Sequence, residues 1–385
     1  MGRNLLWASA FISDFIGVFL TNFSVMIIKK LYLTNFKNHQ ERVFDFSSEI
    51  NSFVGNNGAG KTNILDALHY LSVGKSFLGN SDVNNILTGE DFFTLEAVVD
   101  DGEKETILKI IQSKDAKKLV KKNDKSYARL SDHIGFLPSV MISPYDTNLI
   151  SDSGESRRRF LDAMISQVDA EYLHSIMKYQ KALKQRNALL KSFAKNRYFD
   201  KDSLEIYDEP LCQYAGVIFE KRSLFITQLL PTFLHFYNMI SNGKEEVDIV
   251  YQSDLEEQTM AEVLSQNVEK DRVLTYTSKG IHKDELRFEM SGDLIKKIGS
   301  QGQQKSFLIA LKLAQINRIK EITGKTPLLL LDDIFDKLDD RRVAQLIELV
   351  NKEHFGQIFI TDTHKERTEA VVKNINEESR IFEIT

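Results

Sequence analysis

Gly55-Asn56-Asn57-Gly58-Ala59-Gly60-Lys61-Thr62 decides the fold. The run fits the phosphate-loop pattern G-x-x-x-x-G-K-[ST] and has the context that the pattern requires. Before it, Ile50 to Val54 reads as a short strand; after it, Ile64, Leu65, Leu68 and Leu71 recur at helical spacing. The glycines let the backbone curl so that successive N–H groups face a phosphate chain. The helix after them adds its free amides and dipole. Lys61 is expected at the β- and γ-phosphates, and Thr62 at a Mg²⁺ ion.

The matching acidic strand lies far along the chain, at Leu328-Leu329-Leu330-Leu331-Asp332-Asp333. Four leucines suit a central parallel strand buried on both faces. Asp332 then emerges at its C-terminal end, where such sheets bind ligands. It is expected to hold Mg²⁺, and Asp333, one residue on, to activate an attacking water. Ser300-Gln301-Gly302-Gln303 opens a helix 32 residues before Asp332. A hydroxyl, a flexible backbone and free amides at a helix start make an anion site. The chain already carries a complete phosphate loop, so Ser300, Gly302 and Gln303 are expected to serve a second subunit's nucleotide.

Composition narrows the rest. The chain has 385 residues, 42% hydrophobic and 27% charged, with one cysteine, Cys212. These are globular values, not those of a disordered or membrane-bundle protein. At ~100–200 residues per domain, two or three units are expected. One cysteine excludes a disulfide framework and fits a reducing, cytoplasmic setting. The net charge of −5 gives no global pull toward nucleic acid, so any such binding must be local. Residues 1–25 differ from the remainder of the chain: Leu5 to Leu20 is largely apolar behind Arg3, yet Asp14 and its shortness argue against a spanning helix. The pattern has features of an export signal, but export conflicts with a need for cytosolic ATP. Met26 is the expected working start, with 1–25 an upstream extension.

The order of phosphate loop, Ser-Gln-Gly-Gln segment and acidic strand followed by Leu338-Asp339 resembles an ABC-type ATPase head. The chain resembles the RecF family of bacterial DNA repair and replication proteins more closely. Leu33-Thr34-Asn35-Phe36-Lys37-Asn38-His39, Gly74-Lys75-Ser76-Phe77, Ser143-Pro144, Arg157-Arg158-Arg159-Phe160-Leu161-Asp162, Leu183-Lys184-Gln185-Arg186-Asn187 and Gly280-Ile281-His282-Lys283-Asp284 all match its motifs in family order. Leu78 and Tyr207 depart from it, standing where arginine and tryptophan are usual. The resemblance implies an ATP-driven homodimer with slow hydrolysis, binding at single-strand/duplex junctions, and help for RecO and RecR in loading RecA. It adds Lys37 and Asn38 to the cofactor-binding set. Near the C-terminus Thr361-Asp362-Thr363-His364 leaves the γ-phosphate sensor open.

Three basic clusters are candidates for DNA. Leu173 to Phe199 holds seven Lys/Arg and no acid, with Lys178, Lys181, Lys184, Arg186 and Lys191 the named contacts. The others are Lys114, Lys117, Lys118, Lys121, Lys122 and Lys125 on a hairpin, and Arg157 to Arg159. The alternative is an ABC-type ATPase of a defence or transport system. Against it stand a signature that departs from Leu-Ser-Gly-Gly-Gln, no companion membrane segment, and only 52 residues after Asp333 for an added module. The expected architecture is an α/β P-loop core (26–140 and 322–385) with an inserted, mostly helical lobe (141–321) bearing the signature. No long coiled coil fits, because ~75 residues folded as a hairpin reach only ~55 Å.

Overall fold

The computed structural model describes residues 24–79, 81–241, 243, 245–334, 356–373 and 378–385. The extension expected at 1–25, all but its last two residues, and the Leu338-Asp339 motif lie outside the described residues.

Five parallel strands form the central sheet in the order Arg380–Glu383, Ile50–Val54, Ile358–Asp362, Leu328–Leu331, Ser139–Ile142. The leucine strand is buried on both faces, as its sequence requires. Leu328 and Leu330 enter one core with Phe53, Phe359 and the helix Lys61–Val73. Leu329 and Leu331 enter the other, with the lobe helices. A six-stranded antiparallel sheet, led by Ile27–Phe36 and Phe92–Asp100, closes over the first core. Its alternating pattern, as in the buried Leu95, Ala97 and Val99 of Phe92–Asp100, turns one face inward. Lys61–Val73 therefore runs between two sheets, which fixes the phosphate loop at its N-terminus.

The lobe is built on helices Gly154–Ser166, Ala170–Asn196, Lys201–Ser241 and Met260–Leu274. Ala170–Asn196 and Lys201–Ser241 pack as a hairpin, and at 1.5 Å per residue they run ~40 and ~60 Å. The signature helix, Gln301–Thr323, packs along Lys201–Ser241 and reaches back to the Ser139–Ile142 strand. There Lys312 Nζ donates to the Met141 carbonyl at 2.8 Å and pairs with Asp146 at 2.7 Å. The boundary expected at 140/141 falls inside a core strand, and the lobe shares one continuous hydrophobic core with the sheet face it covers.

Buried charge organises the lobe. Arg222 is almost fully enclosed; its guanidinium bonds Asp162 at 2.8 Å, Asp284 at 2.9 Å, the Tyr172 hydroxyl at 2.9 Å and the Ile281 carbonyl at 2.9 Å. Nearby, the Tyr179 hydroxyl lies 2.8 Å from His282 Nδ1, and His282 Nε2 donates to the Thr277 carbonyl at 2.9 Å. Both ring nitrogens are used by the neutral form. Burial holds His282, and likewise His69 on the phosphate-loop helix, down to about 4. Each favours the fold while neutral, so its contribution is complete above the ordinary value near 6.5 and is lost as pH falls toward 4. Chemical denaturation between those limits should show stability dropping steadily with acid, and His282→Gln should flatten part of the slope.

Candidate nucleotide site

The Ile50–Val54 strand delivers Gly55 against the C-terminal segment. A Cβ on Gly55 would lie 2.1 Å from the Ile384 carbonyl oxygen. Gly60, at φ 102°, is crowded from the other side: a Cβ there would meet the Asn38 amide at 2.5 Å and His39 Nε2 at 2.8 Å. These two glycines are required by close approach, and the loop is clamped between elements far apart in sequence. His39 Nε2–H donates to the Gly60 carbonyl at 3.1 Å, and Asn38 Nδ2 to the Ala59 carbonyl at 3.1 Å. Asn63 in turn donates to Asn38 at 2.7 Å.

Within the loop, the buried Lys61 ammonium donates to the carbonyls of Gly55 at 2.8 Å and Asn56 at 2.9 Å. Thr62 Oγ1 donates to Asp332 Oδ1 at 2.8 Å, and Thr361 Oγ1 donates to the same oxygen at 2.8 Å. The geometry thus joins the phosphate loop, the acidic strand and the neighbouring strand at one carboxylate. Burial raises the Asp332 carboxyl above its ordinary range, with the two hydroxyls opposing. A hydroxyl beside a desolvated carboxylate is an oxygen donor set suited to a hard divalent cation such as Mg²⁺. Asp332→Asn should leave the apo fold as stable or more so, because the ionised form is the costly one. The same change should remove the Mg²⁺-dependent part of ATP affinity; paired melting and titration check both.

Asp333 sits at φ 45°, a left-handed conformation that a non-glycine residue adopts at some cost. Its amide donates to Thr361 Oγ1 at 2.9 Å. Thr361 therefore organises both acids. The sequence leaves the contact residue within 361–364 open; in the structure the exposed His364 lies away from these bonds and Thr361 makes them. Position alone, at the end of the strand beside the acidic one, was the available signal.

Ser300 caps the signature helix: its Oγ accepts from the Gln303 amide at 3.2 Å, and Gln303 Oε1 accepts from the Ser300 amide at 2.7 Å. Gln303 Nε2 also holds Glu245 at 2.8 Å, while Ser300 stays exposed. The Lys37 ammonium pairs with the buried Asp66 at 2.5 Å. Asp66 also accepts from Ser76 Oγ at 2.7 Å and the Phe77 amide at 2.6 Å. Lys37 braces the phosphate-loop helix and the Gly74–Phe77 segment through this pair.

The basic clusters differ: on the hairpin, Lys117, Lys121 and Lys125 form no ion pair among the described residues, while its other three lysines are engaged. Lys114 pairs with Asp91, Lys118 with Asp82, and Lys122 lies 3.8 Å from the centre of the Phe136 ring. Arg157 pairs with Glu285, Arg159 with Glu155, and Arg158 donates to the Asp284 carbonyl. On the Ala170–Asn196 helix, Lys178, Lys181, Lys184, Lys191 and Lys195 are all exposed, and none forms an ion pair among the described residues. Arg186 must be struck from this set. It is 0% exposed and pairs with Asp208 at 2.6 Å and Asp271 at 2.7 Å. It belongs to the apolar stripe of Tyr179, Ala182, Leu190 and Phe193, opposite the lysines.

A parallel sheet ending in a phosphate loop and a carboxylate, with a helical lobe that presents a Ser-x-Gly-Gln helix start, defines an ABC-type ATPase head. The family model described as RecF/RecN/SMC N terminal domain matches residues 27–382. The DNA replication and repair protein RecF of Flavobacterium johnsoniae is 50% identical, across 93% of this chain and all of its own. That of Phocaeicola vulgatus is 45% identical, across 93% and 96%. A structure of the recombination mediator protein RecF–ATPrS in the RecFOR pathway superposes with TM-score 0.84 at 27% identity, covering 95% of this chain and 98% of its own. RecF–ATP gives 0.82 at 30%, covering 89% and 93%. The Smc head of Pyrococcus furiosus, at TM-score 0.53 and 18% identity over 93% of each chain, shares the fold alone. The chain belongs to the RecF family of DNA replication and repair proteins.

Proposed function

We propose that this chain is an ATP-gated DNA clamp: two copies close on two nucleotides and grip gapped DNA, and slow hydrolysis reopens them. The observation that carries the reading is the 2.8 Å bond from Thr62 to Asp332, since it joins the two halves of a nucleotide site at a carboxylate fit for Mg²⁺. Bound there by Thr62 and Asp332, Mg²⁺ would neutralise charge on the β- and γ-phosphates. Gly55 to Thr62 would cradle the phosphates through backbone amides, with the Lys61 ammonium moving from the loop carbonyls to phosphate oxygens. Asp333 would accept a proton from the water that attacks the γ-phosphorus, giving ADP and phosphate.

The exposed Ser300 helix start would close the partner copy's site. Gate and grip are then linked, because only the dimer presents two lysine faces to one DNA. The exposed lysines would contact phosphates without reading sequence, which suits a protein that recognises a junction. Partners of the RecO and RecR kind, and delivery of RecA to the gap, belong to the same proposal.

The test is binding to a gapped duplex at one fixed salt concentration, with and without ATP and Mg²⁺. Affinity should rise with ATP. Lys61→Met should lose nucleotide binding and the rise together, whereas Ser300→Arg should bind ATP as a monomer yet show no rise. An ATP-bound dimer persisting in Ser300→Arg would sink the sandwich. Lys178, Lys184 and Lys191 changed together to Glu should abolish binding in either state; unaltered affinity would remove the helix face from the model.

A further inference from the structure

The lysine face ends in an aromatic platform. Asn196 closes the Ala170–Asn196 helix, Arg197 turns back at φ 51°, and Tyr198 follows with 62% of its surface exposed. Its ring stands edge-on to Phe193 at 6.0 Å, and Phe193 meets Phe199 at 5.4 Å. Leu190, Phe193 and Leu204 form a small core of their own, apart from the two main ones. The platform thus rests on packed side chains and not on a free loop. Beside it opens a cleft of about 370 Å³, walled by Leu190, Phe193, Tyr198, Phe199 and the 82%-exposed Val273. Arg197 and Arg272 line it as well; the Arg272 guanidinium lies 4.0 Å from the centre of the Phe199 ring. The one carboxylate on its rim, Glu269, is held by two bonds from Arg272, at 2.7 and 2.9 Å.

We infer that this cleft takes an unpaired nucleotide, its base stacked on Tyr198 and its phosphate held by Lys195 and Arg197. The inference rests on the proposed DNA-binding reading of the lysine face and deepens it, because it says how that face distinguishes a junction from plain duplex. The geometry supports the division of labour. From Lys178 to Lys195 the exposed lysines span ~25 Å of helix, close to seven base-pair steps at ~3.4 Å each. A duplex laid along them reaches the cleft after less than one turn. At that point the next base must be free to leave the helical stack if it is to use the ring. An aromatic face accepts any base, so the site would add preference for single strands without sequence preference. Positive charge alone gives no such discrimination, since duplex phosphates satisfy it equally.

The test compares a gapped duplex, a blunt duplex of the same length, and the gapped duplex with abasic residues in its single strand. For the parent protein, the gapped substrate should bind more tightly than the other two. Tyr198→Ala should lower affinity for the gapped substrate about 10- to 100-fold, within the range of one base–aromatic stack, and leave the other two within twofold. Tyr198→Trp should restore the preference, and 2-aminopurine placed in the gap should be quenched by the parent and by Tyr198→Trp but not by Tyr198→Ala. Equal binding of all three substrates by the parent would overturn the inference. So would a loss in Tyr198→Ala that falls equally on blunt duplex. Loss of all binding on changing the lysines, with no effect of Tyr198→Ala, would leave the clamp reading standing and dismiss this site. No effect of the lysines on any substrate would dismiss the clamp face itself.

Discussion

Asp333→Asn should slow ATP hydrolysis about 10²- to 10⁴-fold, the span that a positioned general base commonly supplies, while ATP affinity stays near that of the parent. The substitution isolates chemistry from shape. Asparagine has nearly the same volume as aspartate and tolerates the left-handed backbone that Asp333 adopts at φ 45°. The backbone bond from residue 333 to Thr361 Oγ1 needs only the amide, so it survives. Asp332, Thr62 and Lys61 are untouched, so the phosphates keep their partners. What disappears, in the proposed mechanism, is an acceptor for the proton of the attacking water. Without turnover the ATP-bound dimer should accumulate on gapped DNA and dissociate slowly. Phosphate release and sedimentation of the same sample read the two effects together. Normal hydrolysis by the variant would assign the base elsewhere.

Arg222→Met should cost about 3–5 kcal/mol of stability, the usual penalty for removing one partner from a buried ion network. Methionine fills much of the space but supplies none of the bonds to Asp162, Asp284, Tyr172 and the Ile281 carbonyl. Burial already raises the Asp284 carboxyl, with Arg222 the main opposing influence. Its loss would drive that group to take up a proton. The damage should centre where Gly154–Ser166, Ala170–Asn196, Lys201–Ser241 and the Ile281–Lys283 turn meet. Amide exchange across those segments should accelerate well before the Ile50–Val54 strand is affected. Lys178→Met, an exposed change of the same type in the same lobe, should leave exchange unchanged. Equal exchange in the two variants would show that apolar packing alone holds the lobe.

The nucleotide site was legible because its information is local. Glycines, lysine and threonine are adjacent in sequence, and four leucines before two acids identify a buried strand without further context. Thr361 was not legible, because its role depends on which strand lies next to Leu328–Leu331, and only the sheet order settles that. The Lys37–Asp66 pair was not legible for a similar reason: Asp66 sits on a helix across the phosphate loop. Arg186 is a different kind of error. Its acids, Asp208 and Asp271, are 22 and 85 positions away, yet the helical spacing from Tyr179 and Ala182 through Arg186 to Leu190 already put it on the apolar stripe. Counting charge along the chain hid what periodicity displayed. The strand Ser139–Ile142 was not legible at the 140/141 boundary, since it pairs with a strand almost two hundred residues later.

The strand Arg380–Glu383 bears on how the protein is made. It pairs with Ile50–Val54, and the Ile384 amide donates to the Val54 carbonyl at 2.8 Å, just where Gly55 leans on the Ile384 oxygen. The segment that finishes the phosphate loop is thus synthesised long after the loop itself. A nascent chain, or one cut short by a premature stop near residue 380, has every residue of the loop but not the wall that shapes it. The wall of the phosphate loop is therefore among the last segments made, and closure of the loop against it must follow translation through Ile384.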